Sequence, residues 1–228
     1  MTDLILVPTS IEMQRLRPVL SASLADHSHS IEPCAFQLCG FGPIAAAART
    51  AALIARYQPD RVLLIGIAGT FDQRQYPVGT SCRFDEVICD GIGVGSGDDF
   101  QSAESLGWHQ FGADGTRPII GDVLPLVSTF VPGVPCAGKL LTCPAASANL
   151  QDAGRRRTFY PGAVAEDMEG FGVATACSLA GVSLQIVRGL SNVVGDRDHS
   201  NWRIDDALAS AATLAATLIH RTWNPTET

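Results

Sequence analysis

Short apolar runs punctuate the chain, and they are continuous rather than alternating. Residues 4–7, 61–66, 82–89, 138–142, 163–166 and 184–190 share this character. Strands covered on both faces read this way, because neither face meets water. Between them the pattern becomes helical. Pro43–Tyr57 is alanine-rich, opens with proline at a permitted first helical position and stops before Pro59. Residues 167–180 end at Gly181, a natural C-terminal cap. Residues 204–221 form a last amphipathic helix. Strand and helix in alternation predict an α/β fold on a mixed or parallel central sheet. Residues 100–135, rich in Gly, Pro and Ser, fit neither period and read as a long excursion between strands.

Composition bounds the possibilities. The 228 residues are 46% hydrophobic and 17% charged, which suits one domain with a sizeable core. No linker divides the chain, so the expected domain is 1–222 with a tail at 223–228. The net charge of −7 argues against nucleic acid as a partner. The one basic run, Arg155-Arg156-Arg157, reads as a solvated helix face or loop. Seven cysteines are present with no Cys-x-x-Cys pair, and most sit among apolar residues as small core side chains do. No metal site is expected, and no cofactor. No apolar run reaches membrane-spanning length, and the first residues lack a basic signal-peptide region; cytoplasmic residence is the expectation.

Five stretches carry candidate chemistry. Glu12 follows the first strand, where a carboxylate suits either a helix's first turn or a general base at the sheet's carboxyl edge. Gly40-Phe41-Gly42-Pro43 lets backbone amides approach a ligand, or simply makes a tight turn. Gly66-Ile67-Ala68-Gly69-Thr70 caps a strand with residues small enough for contact with a flat ligand, with a tight turn as the other reading. Glu166-Asp167-Met168-Glu169 brings three acids to one helix start, where Asp167 suits the N-cap. Three acids exceed what capping needs; a carboxylate facing a diol would explain one. Ser191-Asn192 ends the last apolar run, and an amide both donates and accepts, so it reads a heterocycle's edge. Asp196, Arg197 and Asp198 then read as a salt-bridged loop.

In this order the pieces resemble the nucleoside phosphorylase and nucleosidase superfamily. Gly66-Ile67-Ala68-Gly69-Thr70-Phe71, Asp90-Gly91-Ile92-Gly93 and the segment from Ser191 to Asp198 carry a closer likeness to its futalosine hydrolases. The resemblance implies a mixed sheet partly closed into a barrel and flanked by helices. It implies a homodimer or larger homo-oligomer, with a neighbour's loop closing the pocket. It implies a purine nucleoside substrate whose N-glycosidic bond is hydrolysed to release hypoxanthine, in menaquinone biosynthesis. Glu12 would activate water. Met168 and Glu169 would bind ribose with Arg188 supporting that region, and Ala68, Gly69 and Ser191 would line the substrate site.

Asn192 would be the second catalytic residue and the discriminating one. Adenine-specific members carry an aspartic acid there. A carboxamide donates to a 6-oxo group instead and accepts from a protonated N7. Any proton for the leaving base would have to come by another route, for which Asp196 and Asp198 are candidates. At residues 141–146 adenine-specific members place a stacking aromatic, whereas this chain has small residues; Phe41, Phe100 and Trp202 are the alternatives. The benzoate-bearing arm of futalosine would need an apolar channel and a cation, with Arg83, Arg117 and Arg203 as candidates. Three other readings stand beside this one: a methylthioadenosine/adenosylhomocysteine or aminodeoxyfutalosine nucleosidase releasing adenine, a phosphorylase, and a non-catalytic nucleoside-binding protein on the same fold.

Overall fold

The continuous apolar runs become strands with both faces covered. The computed structural model describes residues 3–25, 35–112, 114–115, 117–127 and 134–223. The chain begins with β1 (Asp3–Val7), α1 (Ser10–Ala25), β2 (Ala35–Leu38), α2 (Pro43–Tyr57) and β3 (Arg61–Thr70). It continues through β4 (Ser81–Arg83), β5 (Glu86–Cys89), β6 (Gly93–Val94), β7 (Gln101–Ser102) and β8 (Val123–Pro125). It closes with β9 (Lys139–Thr142), α3 (Leu150–Phe159), β10 (Ala163–Asp167), α4 (Gly170–Ala180), β11 (Ser183–Val193) and α5 (Ile204–Trp223).

Among the described residues, nine strands form one mixed sheet in the order β2-β1-β3-β10-β9-β5-β8, with β11 pairing both β3 and β4. Strand β3 is the branch point. Its first residues lie between β1 and β11, both parallel to it. Its last residues lie between β11 and antiparallel β10. Beyond these pairings, Arg83 of β4 makes a parallel bridge to Cys136, just ahead of β9.

Alternate residues of each central strand feed opposite faces, as the two-residue period dictates. Leu4, Leu6, Val62, Leu64 and Ile186 join a core with Leu53 of α2 and Phe171 and Val173 of α4. Ile5, Val7, Leu63, Ile65 and Val187 join a second core with Leu16 of α1 and Leu208 and Leu218 of α5. The sheet is therefore sandwiched between α2 and α4 on one side and α1 and α5 on the other, as the apolar runs predict.

Three expectations need correction. The run 82–89 is two strands, because its halves take different partners: β4 pairs β11, and β5 pairs β9 and β8. Gly66–Thr70 does not turn after the strand; β3 runs through it to Thr70, held by β11 and β10. The helix expected from residue 167 starts at Gly170, because Asp167 is the last residue of β10. Its carboxylate still receives the Gly170 N–H at 2.9 Å. The described part of the excursion contains β7, β8 and a short 3-10 turn at Glu104–Leu106. Of the cysteines, Cys39, Cys82, Cys143 and Cys177 are buried and free, and burial pushes Cys39, Cys82 and Cys177 up to about 12. Cys34 and the tail from 224 lie outside the described residues.

Candidate active site

Glu12 is placed by its helix and by β3 together. Thr9 precedes α1 and accepts the Glu12 N–H at 3.3 Å; Glu12 Oε2 accepts from Thr9 N at 3.1 Å and Thr9 Oγ1 at 2.6 Å. This is a reciprocal capping box, so the helix-start reading of Glu12 holds. Its other oxygen, Oε1, accepts from Ile67 N at 3.0 Å, which ties the carboxylate to the sheet. The side chain is 6% exposed and lies on the wall of a cleft.

Gly66 explains itself here. A Cβ on it would fall on Arg188 Nη1 and lie 2.8 Å from Glu12 Oε1. Space for a guanidinium, rather than a turn, is what excludes a side chain.

Arg188 is fully buried and bonds Asp167 through Nε at 3.1 Å and through Nη2. The same Nη2 reaches Glu169 Oε2 at 3.2 Å. Arg188 does not itself line the cleft; it stands behind the two carboxylates and holds them. Glu169 accepts from Gly42 N at 3.2 Å through its other oxygen, so Gly40-Phe41-Gly42 positions an acid. Burial raises Glu169 to about 7, against the opposing pull of Arg188.

Ser191 and Asn192 lie in β11, within the strand rather than after it, at a register shift between Leu190 and Asn192. Ser191 Oγ lies 2.8 Å from Asn192 Oδ1, and Asn192 Nδ2 donates to Val193 O at 2.9 Å. A backbone carbonyl only accepts, so the amide's orientation is fixed. Asn192 keeps one N–H and one lone pair for a ligand.

The cleft encloses about 350 Å³. It brings together Glu12, Ala68, Gly69, Met168, Glu169, Ser191 and Asn192, all expected site residues. It also holds Ser147 and Glu166, which sequence reasoning did not select. Glu166 accepts from Ser147 N, Ser147 Oγ and Arg156 Nη1 at 2.7, 2.6 and 2.8 Å. Arg156 therefore is not a solvated residue of a basic run. It is mostly buried and also bonds Asp90 at 3.0 Å and Ala145 O at 2.7 Å. The surplus of acids before α4 was the available signal: each one has a buried arginine partner.

A model of the phosphorylase superfamily matches residues 28–223. The chain belongs to that superfamily. It is 35% identical over 196 residues to a futalosine hydrolase of Streptomyces coelicolor, covering 82% of this chain and 80% of that one. It is 25% identical over 201 residues to a 5'-methylthioadenosine/S-adenosylhomocysteine nucleosidase of Chromohalobacter salexigens, covering 86% and 82%. The fold matches the native structure of futalosine hydrolase of Helicobacter pylori with a TM-score of 0.73, 13% identity, and 96% and 97% coverage.

Against this superfamily background, Phe41 and Trp202 line the cleft and Phe100 does not; Phe100 packs edge-on against Phe159 at 6.4 Å. Trp202 stacks on His199 at 4.4 Å and carries Arg197 over its ring, whereas Phe41 is 64% exposed. Ala146, not an aromatic, occupies the wall after β9. Arg83, Arg117 and Arg203 are not in the cleft. Arg83 is buried in β4, and Arg203 pairs with Asp206 at 2.8 Å. The cations at the cleft are Arg15, paired with Asp205 at 2.7 Å, and Arg197. Asp196 and Asp198 order their own loop, accepting from Asp198 N and Asn201 Nδ2, and from Ser200 N and Oγ. Neither lines the cleft. Among the described residues no group of three or more His, Cys, Asp or Glu side chains is arranged to hold a metal ion, and no helix is long and apolar enough to cross a membrane.

Proposed function

We propose that this superfamily member is a hydrolytic nucleosidase that cleaves the N-glycosidic bond of futalosine and releases hypoxanthine. The observation that carries the reading is the fixed carboxamide of Asn192, with one donor and one acceptor left for a base edge. That pair complements a 6-oxo group beside a protonated N7. The likeness to the futalosine hydrolase of Streptomyces coelicolor supports the same substrate.

Water attacks the anomeric carbon as the bond to the purine breaks. The bond's electron pair leaves with the base, which takes up a proton at N7 from solvent water, and the attacking water's proton passes to Glu12. General base catalysis of this kind contributes roughly 10²–10⁴-fold, about 3–5 kcal/mol. Glu169 accepts the ribose hydroxyls in its charged form and favours the cationic sugar of the transition state. Met168 covers the sugar's apolar face, and Ala68, Gly69 and Ser191 border the base. Arg188 positions Glu169 from behind. Phe41 is the aromatic surface for stacking, and Arg197 and Arg15 meet the carboxylate of the 5′ arm. A second copy of the chain closes the open mouth.

An adenine-releasing nucleosidase needs an acid where Asn192 stands. A phosphorylase would bring phosphate beside Glu12, a repulsion of about 4 kcal/mol at 4 Å and an effective dielectric of 20. A non-catalytic binding protein has no use for Glu12 and Glu169 together. Turnover in ¹⁸O-labelled water without phosphate tests the reaction type. The label should enter the freed sugar at its anomeric carbon. A strict requirement for phosphate, or binding without turnover, would contradict the reading.

A further inference from the structure

Two carboxylates in the cleft have no part in the chemistry above, and one of them, Asp167, is taken up by Thr142 and Arg188. Glu166 is 7% exposed, lines the cleft and is held from three sides. An ionised carboxylate offers about four lone-pair positions. Ser147 N–H fills one on Oε1, and Ser147 Oγ and Arg156 Nη1 fill two on Oε2. One position remains, on Oε1. Its three partners all donate to it, and a ligand group that meets the remaining position does so as a donor.

The sheet fixes where that acceptor stands. Glu166 of β10 and Asn192 of β11 are both register partners of Gly69, one on each side of β3. Two strand spacings separate them, about 10 Å between backbones. Gly69 between them has no side chain, and a Cβ there would lie 3.4 Å from Asn192 Nδ2 and 3.0 Å from Val194 Cγ2. A flat ring lying over Gly69 thus has a carboxamide on one side and a carboxylate on the other.

We propose that Glu166 accepts a hydrogen bond from N1–H of the purine, so that Glu166 and Asn192 together select a 6-oxopurine. This rests on the nucleosidase reading of the same cleft. The order along the edge of hypoxanthine is N7–H, O6, N1–H: donor, acceptor, donor. Asn192 Oδ1, Asn192 Nδ2 and Glu166 Oε1 supply acceptor, donor, acceptor. Adenine inverts the last two, placing its amino group against the Asn192 N–H and its N1 lone pair against a carboxylate. Arg156 is then a positioning residue, itself held by Asp90 and Ala145 O.

The test compares three nucleosides with one 5′ substituent: the hypoxanthine form, the adenine form and the 1-deazahypoxanthine form, which keeps the shape but replaces N1–H with C–H. Wild-type kcat/KM should fall at least about tenfold from hypoxanthine to its 1-deaza form, the worth of a charge-assisted hydrogen bond. Glu166→Gln should narrow that ratio, which a merely structural loss would leave unchanged. The wild-type comparison needs no variant to fold. Equal wild-type rates on hypoxanthine and 1-deazahypoxanthine, with adenine still rejected, would overturn the role of Glu166 and leave the role of Asn192 standing. Equal rates on hypoxanthine and adenine would overturn both.

Discussion

Arg188 holds Glu169 from beneath the site: its Nη2 lies 3.2 Å from Glu169 Oε2, with the arginine wholly enclosed. The same nitrogen bonds Asp167, so one cation neutralises two buried acids. Removing it strands both charges. Arg188→Met should destabilise the fold by about 3–5 kcal/mol in denaturant titration. A loss below about 1 kcal/mol would mean that the acids find other partners.

On the proposed reading, Glu12 has two jobs that one substitution separates. Glutamine still serves a capping box, because its carbonyl oxygen accepts the Thr9 N–H. It cannot take a proton from water. Glu12→Gln should keep stability within about 1 kcal/mol and bind nucleoside, while kcat falls by roughly 10²–10⁴-fold. Near-native kcat would remove Glu12 from the chemistry.

On the proposed reading, Glu169 makes activity respond to pH near neutrality. Burial lifts it to about 7 from an ordinary value of 4.5. Between these values the folded chain holds a proton that the unfolded chain has released. This contribution therefore favours folding below about 4.5 and is lost as pH rises through about 7. Activity moves the opposite way, since the ribose needs the charged form. The kcat/KM profile should rise through about pH 7 to a plateau, and Glu169→Gln should abolish that limb. A flat profile between pH 6 and 8, at roughly one unit either side of this value, would contradict the role.

The expected sites largely converge because strand ends and glycines are visible as composition. Glu12, Glu169 and Asn192 were legible as polar residues beside apolar runs, and with Met168 they meet in one cleft. What was hidden depends on distant partners. The split of 82–89 is set by β11 and β9, and no local signal marks it. Gly66 looked like a turn because its neighbour, Arg188, is 122 positions away (188 minus 66) and unseen in the pattern. Helix α1 carries Pro18 inside it, and β2 is only half-buried, so neither announces itself. Arg156 looked solvated because its acids, Asp90 and Glu166, come from two other strand ends.

On the proposed reading, Asn192 meets the base in an orientation that Val193 O fixes. An aspartic acid there, once protonated, can donate to N7 and accept from a 6-amino group. Asn192→Asp should shift the ratio of kcat/KM toward adenine nucleosides by about tenfold or more, the range for one buried polar mismatch of 1–3 kcal/mol. An unchanged ratio would show that the carboxamide does not touch the base.

The central claim concerns the base that leaves. Purified protein incubated with futalosine, inosine and their 6-amino counterparts, with the freed base identified by chromatography, tests it most directly. The account predicts hypoxanthine from futalosine as the fastest product and little adenine. Adenine as the preferred product, or no free base from any member of the set, would contradict it.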